Sequence, residues 1–255
     1  MAGNVSVPGA TVTSRALRLL AAFDSQSRTL TLSELARRAN LPLPTAHRLV
    51  SELTDWGALA RQPSGDYVVG RRLWEIGMLA PERNGFRQLA SPFLHDMFAT
   101  TLATTILTVR DGLAAVNIAR LSGRASLSIM SDIGSRVPLY ATGVGKVLLA
   151  YAPSEVQTEV LANLQRITPY TITQPGRLSE QLRRVRHEGY GQCSEEMRLG
   201  VCSVAVPIWT VDGSVVAALG AVVPSMKRDR QRLIAALAVA AQGISRSIKD
   251  NQASM

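Results

Sequence analysis

A chain of 255 residues leaves room for two modest domains. Its hydrophobic share of 46% can give each a core, and its formal net charge of +9 favours polyanionic partners. Two cysteines, Cys193 and Cys202, and three scattered histidines, His47, His95 and His187, offer neither a disulfide framework nor metal-ligand spacing, so no metal or other cofactor is expected. No apolar run approaches the ~20 residues of a membrane-spanning helix and no charged-then-apolar leader opens the chain, so a cytoplasmic protein without a membrane partner is expected.

Residues 1–12 are rich in Gly, Ser, Pro and other small residues and read as a loose tail. A first helix begins near Thr13, with Ala16, Leu17, Leu19, Leu20 and Phe23 on its apolar face. In the next, Leu32, Leu35, Ala36 and Ala39 recur at i, i+3, i+4, i+7. Asn40 stands where that helix must end in a left-handed residue. Pro42 keeps the helix from continuing, and Pro44 suits the first position of the helix that follows. There Ala46, Leu49, Val50 and Leu53 repeat the helical spacing. Pro44, His47, Arg48 and Ser51 then point outward, with Thr45 on the flank, and make a small, polar, basic face that fits a DNA groove. Two short runs of strand character follow, Ala58 to Gln62 and Tyr67 to Val69, about turn residues Gly65 and Asp66. Residues 13–72 therefore read as a winged helix-turn-helix.

Leu73, Ile76 and Leu79 mark a linker helix within 73–90, interrupted near Pro81 to Gly85. From 91 to 250 the pattern is mixed. Phe93, Leu94, Met97 and Phe98 share a helix face. Strands are expected at Thr104 to Val109 and Leu113 to Ile118 about Asp111-Gly112, and at Leu127 to Met130. Helices are expected from Val144 to Tyr151, Ser154 to Leu164 and Leu178 to Glu188, the last stopped by Gly189. Val201 to Ile208 and Ser214 to Val223 form an apolar hairpin. A final helix runs from about Lys227 to Lys249, with Leu233, Leu237, Ala240, Ile244 and Ile248 inward. Hairpins without regular strand-helix-strand alternation point to an α+β domain on an antiparallel sheet.

Gly143-Val144-Gly145-Lys146 hints at a phosphate loop. Tyr140 and Val147 stand where that motif needs Gly and Ser or Thr, so nucleotide hydrolysis is not expected. Ser203 has no nearby His partner in the sequence, and the two cysteines read as small packing residues. No paired carboxylates or triad-like arrangement supports an enzyme. An enzyme or small-molecule-binding protein with a structural N-terminal domain, and a nonspecific DNA-organising protein, are the alternatives.

Four segments together resemble the IclR family of bacterial transcriptional regulators: SELARRANLPLPTAHRLVSEL, IGSRVPLYATGVGKVLLAY, RVRHEGYGQCSEEMRLGVCSVAVPIW and DGSVVAALGAVVPS. The resemblance spans Thr13 to Ile248. It implies a winged helix, a linker helix and a C-terminal GAF-like effector-binding domain. It also implies dimers formed through the DNA-binding end, usually paired into tetramers, with the first helix and Leu73, Trp74, Ile76 and Leu79 as candidate contacts. The partners implied are a double-stranded DNA operator and a small-molecule effector. Pro44, Thr45, His47, Arg48 and Ser51 become candidates to meet the DNA from the recognition helix. Thr31 and Ser33 would meet phosphates, and Arg61 the backbone or minor groove.

In relatives that bind small acids such as glyoxylate or pyruvate, the pocket joins backbone amides to Asp, Cys and Ser side chains. Here Gly143 and Val144 carry the amides, Cys193 fills the Asp position, Ser203 the Cys position, and Gly220 and Val222 the two Ser positions. Ile129, Val137 and Val201 line the apolar side. Loss of a charge and two hydroxyls, with room opened at Gly220, implies an aromatic or otherwise bulky organic acid or phenol as effector; the alternative is that a neighbouring side chain fills the space at Gly220 and the pocket is small.

Overall fold

The computed structural model describes residues 11–24, 27–77, 79, 84–123, 132–226 and 229–253. The chain divides into two compact units, Met1–Glu82 and Arg83–Met255.

In the first unit, helix α1 (Val12–Leu20) is capped by Thr11, whose hydroxyl accepts the Ser14 N–H at 3.1 Å. Helices α2 (Leu32–Arg38) and α3 (Leu43–Asp55) follow, with Pro42 as the α3 N-cap and Pro44 in second place rather than first. Asn40 turns left-handed at φ 51°. The Leu41 N–H reaches Ala36 O at 2.9 Å and the Asn40 N–H reaches Arg37 O at 3.2 Å, so the last carbonyls of α2 are satisfied by a Schellman turn. Gly57 ends α3 the same way at φ 85°. The wing strands β2 (Leu59–Arg61) and β3 (Tyr67–Val69) pair antiparallel, and the sequence-derived hairpin gains a third strand, β1 (Thr29–Leu30), on the far side of β3. Leu19, Leu30, Leu35, Ala46, Leu49, Val50, Leu59 and Tyr67 close one core between the helices and this small sheet. Truncating a side chain as enclosed as Leu49 would cost about 2–5 kcal/mol. Helix α4 (Arg71–Gly77) buries none of its residues.

The second unit begins on α5 (Asn84–Thr101), so the stretch read as one linker over 73–90 is divided between α4 of the first unit and α5 of the second. Six antiparallel strands follow the order β6-β5-β4-β9-β8-β7. They are β4 (Thr104–Asp111), β5 (Ala114–Leu121), β6 (Arg136–Pro138), β7 (Gly191–Ser194), β8 (Cys202–Trp209) and β9 (Val215–Val223). Helices α6 (Gly143–Ala150), α7 (Ser154–Ala162) and α8 (Pro175–Glu188) come between β6 and β7, and α9 (Arg230–Ala253) ends the chain. The strand expected at Leu127 to Met130 lies outside the described residues. The edge strands β6 and β7 carry no period-2 apolar pattern and were absent from the sequence expectation.

Each face of the sheet builds its own core. Val204, Val206, Ile208, Leu219 and Ala221 pack with α5 and α9, where Leu233, Leu237, Ala240, Ile244 and Ile248 are all buried as their spacing implies. Ile106, Ala205, Ala218 and Val222 pack with α6 and α8. Small residues bring α6 close to this second face: a Cβ on Gly191 would stand 2.9 Å from Gly143 O.

Candidate functional site

The exposed face of α3 begins with Leu43, Pro44, His47, Arg48 and Ser51, and Thr45 is half-buried beside them. Ala46, Leu49 and Val50 are buried beneath, so the division of faces drawn from the sequence is the one observed. Arg48 Nη1 lies 3.2 Å from Glu52 Oε1 with both side chains exposed, a contact a phosphate can displace at little cost. Leu43, 48% exposed at the tip of α3, was missed; an apolar side chain there can meet a thymine methyl. Its position in a turn-like LPLP run hid it.

Thr31 is less free than the sequence implied. Its hydroxyl accepts the Glu34 N–H at 3.2 Å, while its own N–H and O–H donate to Glu34 Oε2 at 2.8 and 2.9 Å. These bonds hold the Glu34 carboxyl below its ordinary range, helped by Arg37 and Arg38. The capping box thus occupies the group expected on phosphate, and Ser33 keeps an exposed place one residue into α2. At the wing, Arg61 Nε donates to Gly65 O at 3.2 Å and its guanidinium stands 5.8 Å from the Tyr67 ring centre, bracing the turn while the side chain stays exposed.

In the second unit, the register sets Cys193 beside Ser203, Ser203 beside Val222, and Val222 beside Thr104, one rung across four strands. Gly220 lies in the next rung with Ala205 and Ile106. Val137, Val144 and Val222 belong to one apolar cluster, with Val201 packed at its margin. Ile129 lies outside the described residues. The N-terminus of α6 abuts the rung. Thr142 caps it by accepting the Gly145 N–H at 3.0 Å, and the Gly143 N–H donates to Ser203 Oγ at 3.0 Å. Gly143 is therefore not a free amide. The Val144 N–H and the Ser203 hydroxyl proton find no acceptor among the described residues. Thr104, 2% exposed, adds a hydroxyl to the rung; only strand pairing reveals it.

One sequence expectation changes here. The room foreseen at Gly220 is filled, because a Cβ there would stand 2.6 Å from Val144 Cγ1 and 3.3 Å from Ile106 Cγ1. The Gly-Val-Gly-Lys run serves packing: a Cβ on Gly145 would stand 2.6 Å from Leu139 O. Lys146, 1% exposed, donates to Glu196 Oε1 at 2.5 Å and to Gln192 O at 3.3 Å, so its ammonium is spent inside the domain. Cys193 donates to Ala141 O at 3.0 Å, and burial, aided by the Glu196 carboxylate, pushes its thiol up to about 11. A thiol so protonated is a packing group, as the sequence implied. Two clefts along the outer edge of β7, of about 430 and 200 Å³, are lined by none of the residues expected to hold the effector.

No helix among the described residues is long and apolar enough to cross a membrane, and they hold no cluster of metal-ligating side chains. A winged helix-turn-helix, followed by an α+β domain whose sheet and α6 carry polar handles in an apolar setting, defines a ligand-responsive DNA-binding transcriptional regulator.

The chain belongs to the IclR family: the IclR helix-turn-helix domain matches residues 12–63, and the bacterial transcriptional regulator IclR C-terminal domain matches residues 79–246. It is 33% identical over 208 residues to the HTH-type transcriptional regulator XynR of Escherichia coli, covering 80% of this chain and 82% of that one. It is 30% identical over 226 residues to the regulator KdgR of the same species, covering 86% of each. Among solved structures, an IclR homologue from Microbacterium hydrocarbonoxydans complexed with 4-hydroxybenzoate aligns at a TM-score of 0.87. It shares 32% identity, over 94% of this chain and all of that one. A putative transcriptional regulator from Rhodococcus aligns at 0.79 with 28% identity, over 94% and 98% of the two chains. The relatives are named as transcriptional regulators.

Proposed function

We propose that α3 enters the major groove of a pseudo-palindromic operator and that a single-ring aromatic acid controls the protein from the start of α6. Thr45, His47, Arg48 and Ser51 read bases or phosphates, Pro44 and Leu43 set the approach of the helix tip, and Ser33 and Arg61 hold the flanking backbone. Two like half-sites call for two-fold symmetry, hence a homodimer or a dimer of dimers.

One observation carries the effector reading. The Val144 N–H and the Ser203 hydroxyl are two open donors at a buried helix N-terminus. A carboxylate placed there takes two hydrogen bonds and the favourable end of the helix dipole. Val137, Val201 and Val222 offer apolar surface for a ring. Cys193, with its proton held, adds no repelling charge. Because Val144 already covers Gly220, the ring is single rather than fused. The 4-hydroxybenzoate complex of the Microbacterium hydrocarbonoxydans homologue lends this ligand class support.

The test is thermal melting of the full chain with benzoate, 4-hydroxybenzoate, glyoxylate and pyruvate, since a ligand of the folded state raises the midpoint. The aromatic acids should raise it saturably. A response to glyoxylate or pyruvate alone would overturn the reading.

A further inference from the structure

The two clefts at the outer edge of β7 share Gln181, Gln192 and Arg230 in their walls, and the larger, of about 430 Å³, falls in the range of small-molecule sites. Lys146 of α6 lines the smaller cleft, but none of the residues expected to hold the effector lines either one. Along β7, Cys193 is buried against the α6 face, whereas Gln192 and Ser194 are exposed and line the larger cleft.

The lining of that cleft includes two unmet buried acceptors. Glu196 is 6% exposed, and its Oε1 takes the Lys146 ammonium while its Oε2 meets no donor among the described residues. Gln181 Oε1 is equally without a partner there. Buried oxygens of this kind are matched by donors. A cation stands in the same wall. Arg230 donates to Tyr190 Oη at 3.1 Å and lies 5.8 Å from the Tyr190 ring centre, with no carboxylate partner among the described residues. The neighbouring Arg184, by contrast, is held by Glu180 at 2.5 Å. Glu195 adds a second carboxylate to the larger cleft, its Oε2 accepting the Gly200 N–H at 2.9 Å.

We propose that this cleft is a second small-molecule site and that its ligand is a zwitterion of the α-amino-acid type. The ammonium donates to Glu196 Oε2 and Gln181 Oε1, and the carboxylate is taken by Arg230. A bare anion would face the Glu195 carboxylate, and a bare amine would face Arg230 and the Lys146 ammonium already on Glu196 with no negative charge of its own to answer them. A zwitterion answers both ends.

Calorimetric titration of the full chain with glycine, L-serine, L-glutamine and L-lysine tests this, with ethylamine and acetate as single-charge controls. At least one amino acid should bind saturably and at least tenfold more tightly than either control. Gln181→Met and Arg230→Met, at positions outside the Lys146–Glu196 pair, should each weaken that binding about tenfold while leaving the thermal midpoint of the free protein in place. Absence of saturable binding by all four amino acids would overturn the proposal. So would equal binding by a single-charge control, or unchanged binding in both variants. A variant that melts early is replaced by Gln181→Glu, in which the added carboxylate should favour L-lysine over glycine; no change in that ratio counts against the site.

Discussion

Ser203 Oγ takes the Gly143 N–H and keeps its own proton to give, which makes it the side chain most exposed to test. A hydrogen bond to a charged group contributes about 1.5–3 kcal/mol. Ser203→Ala should therefore weaken binding of 4-hydroxybenzoate tenfold or more, measured by calorimetry, with operator affinity in the absence of ligand unchanged. Gly220 behaves differently from its reading in the sequence. Gly220→Leu drives a side chain into Val144 and Ile106, and overpacking of this kind costs about 1–3 kcal/mol or more. The expected outcome is a lower urea midpoint before any question of ligand arises; an unchanged midpoint would mean the α6 face yields readily. Cys193 gives a pH signature. Its folded-state thiol titrates at about 11 rather than 9.0, so below the lower value both states keep the proton and the contribution is fully present. As pH rises through this window the unfolded chain ionises first and stability is lost. The fall in urea midpoint between pH 8 and pH 10.5 should be shallower in Cys193→Ala than in the wild type, and equal slopes would contradict the burial that sets this thiol.

Helix α3 owes its function to its division of faces. The buried Ala46, Leu49 and Val50 fix which side chains remain outside, and the left-handed Asn40 fixes where the helix begins. Arg48→Ala and His47→Ala should each cost about 1–3 kcal/mol of operator affinity if they read bases. A phosphate contact would instead flatten the salt dependence of binding. If anisotropy titrations show neither change in either variant, α3 does not read the DNA. The same helix shows what a sequence can disclose. Its period of apolar residues, its proline start and its left-handed neighbour are all local, so they are visible without coordinates. Strands β1, β6 and β7 are not. Thr29–Leu30, Arg136–Pro138 and Gly191–Ser194 are too short for a period, and they become strands only by pairing: β1 with β3, β6 with β5, and β7 with the next strand, β8. The rung from Cys193 to Thr104 depends on β7 and on the pairing of β9 with β4, far apart in the chain, and the covering of Gly220 depends on the rotamer of Val144. This is why resemblance could name candidate effector residues but not which of them keep an open hydrogen-bonding group.

At the level of the assembled protein, Trp74, Ile76 and Leu79 on and just beyond α4 are 62%, 46% and 80% exposed. Apolar surface of that size on a short helix is typical of an interface between copies. Light scattering at micromolar concentration should report a dimer or a tetramer, and Trp74→Glu should shift it toward the monomer; a wild-type monomer would remove the basis for a two-fold operator. Within the second unit, α6 has all eight residues buried, its first turn fastened to Ser203 and its Lys146 fastened to Glu196. A segment pinned in this way has no soft part in which to absorb a small displacement. If the proposed effector binds at Val144, any displacement it imposes would be taken up by the helix as a whole, and the response would come in steps rather than by degrees.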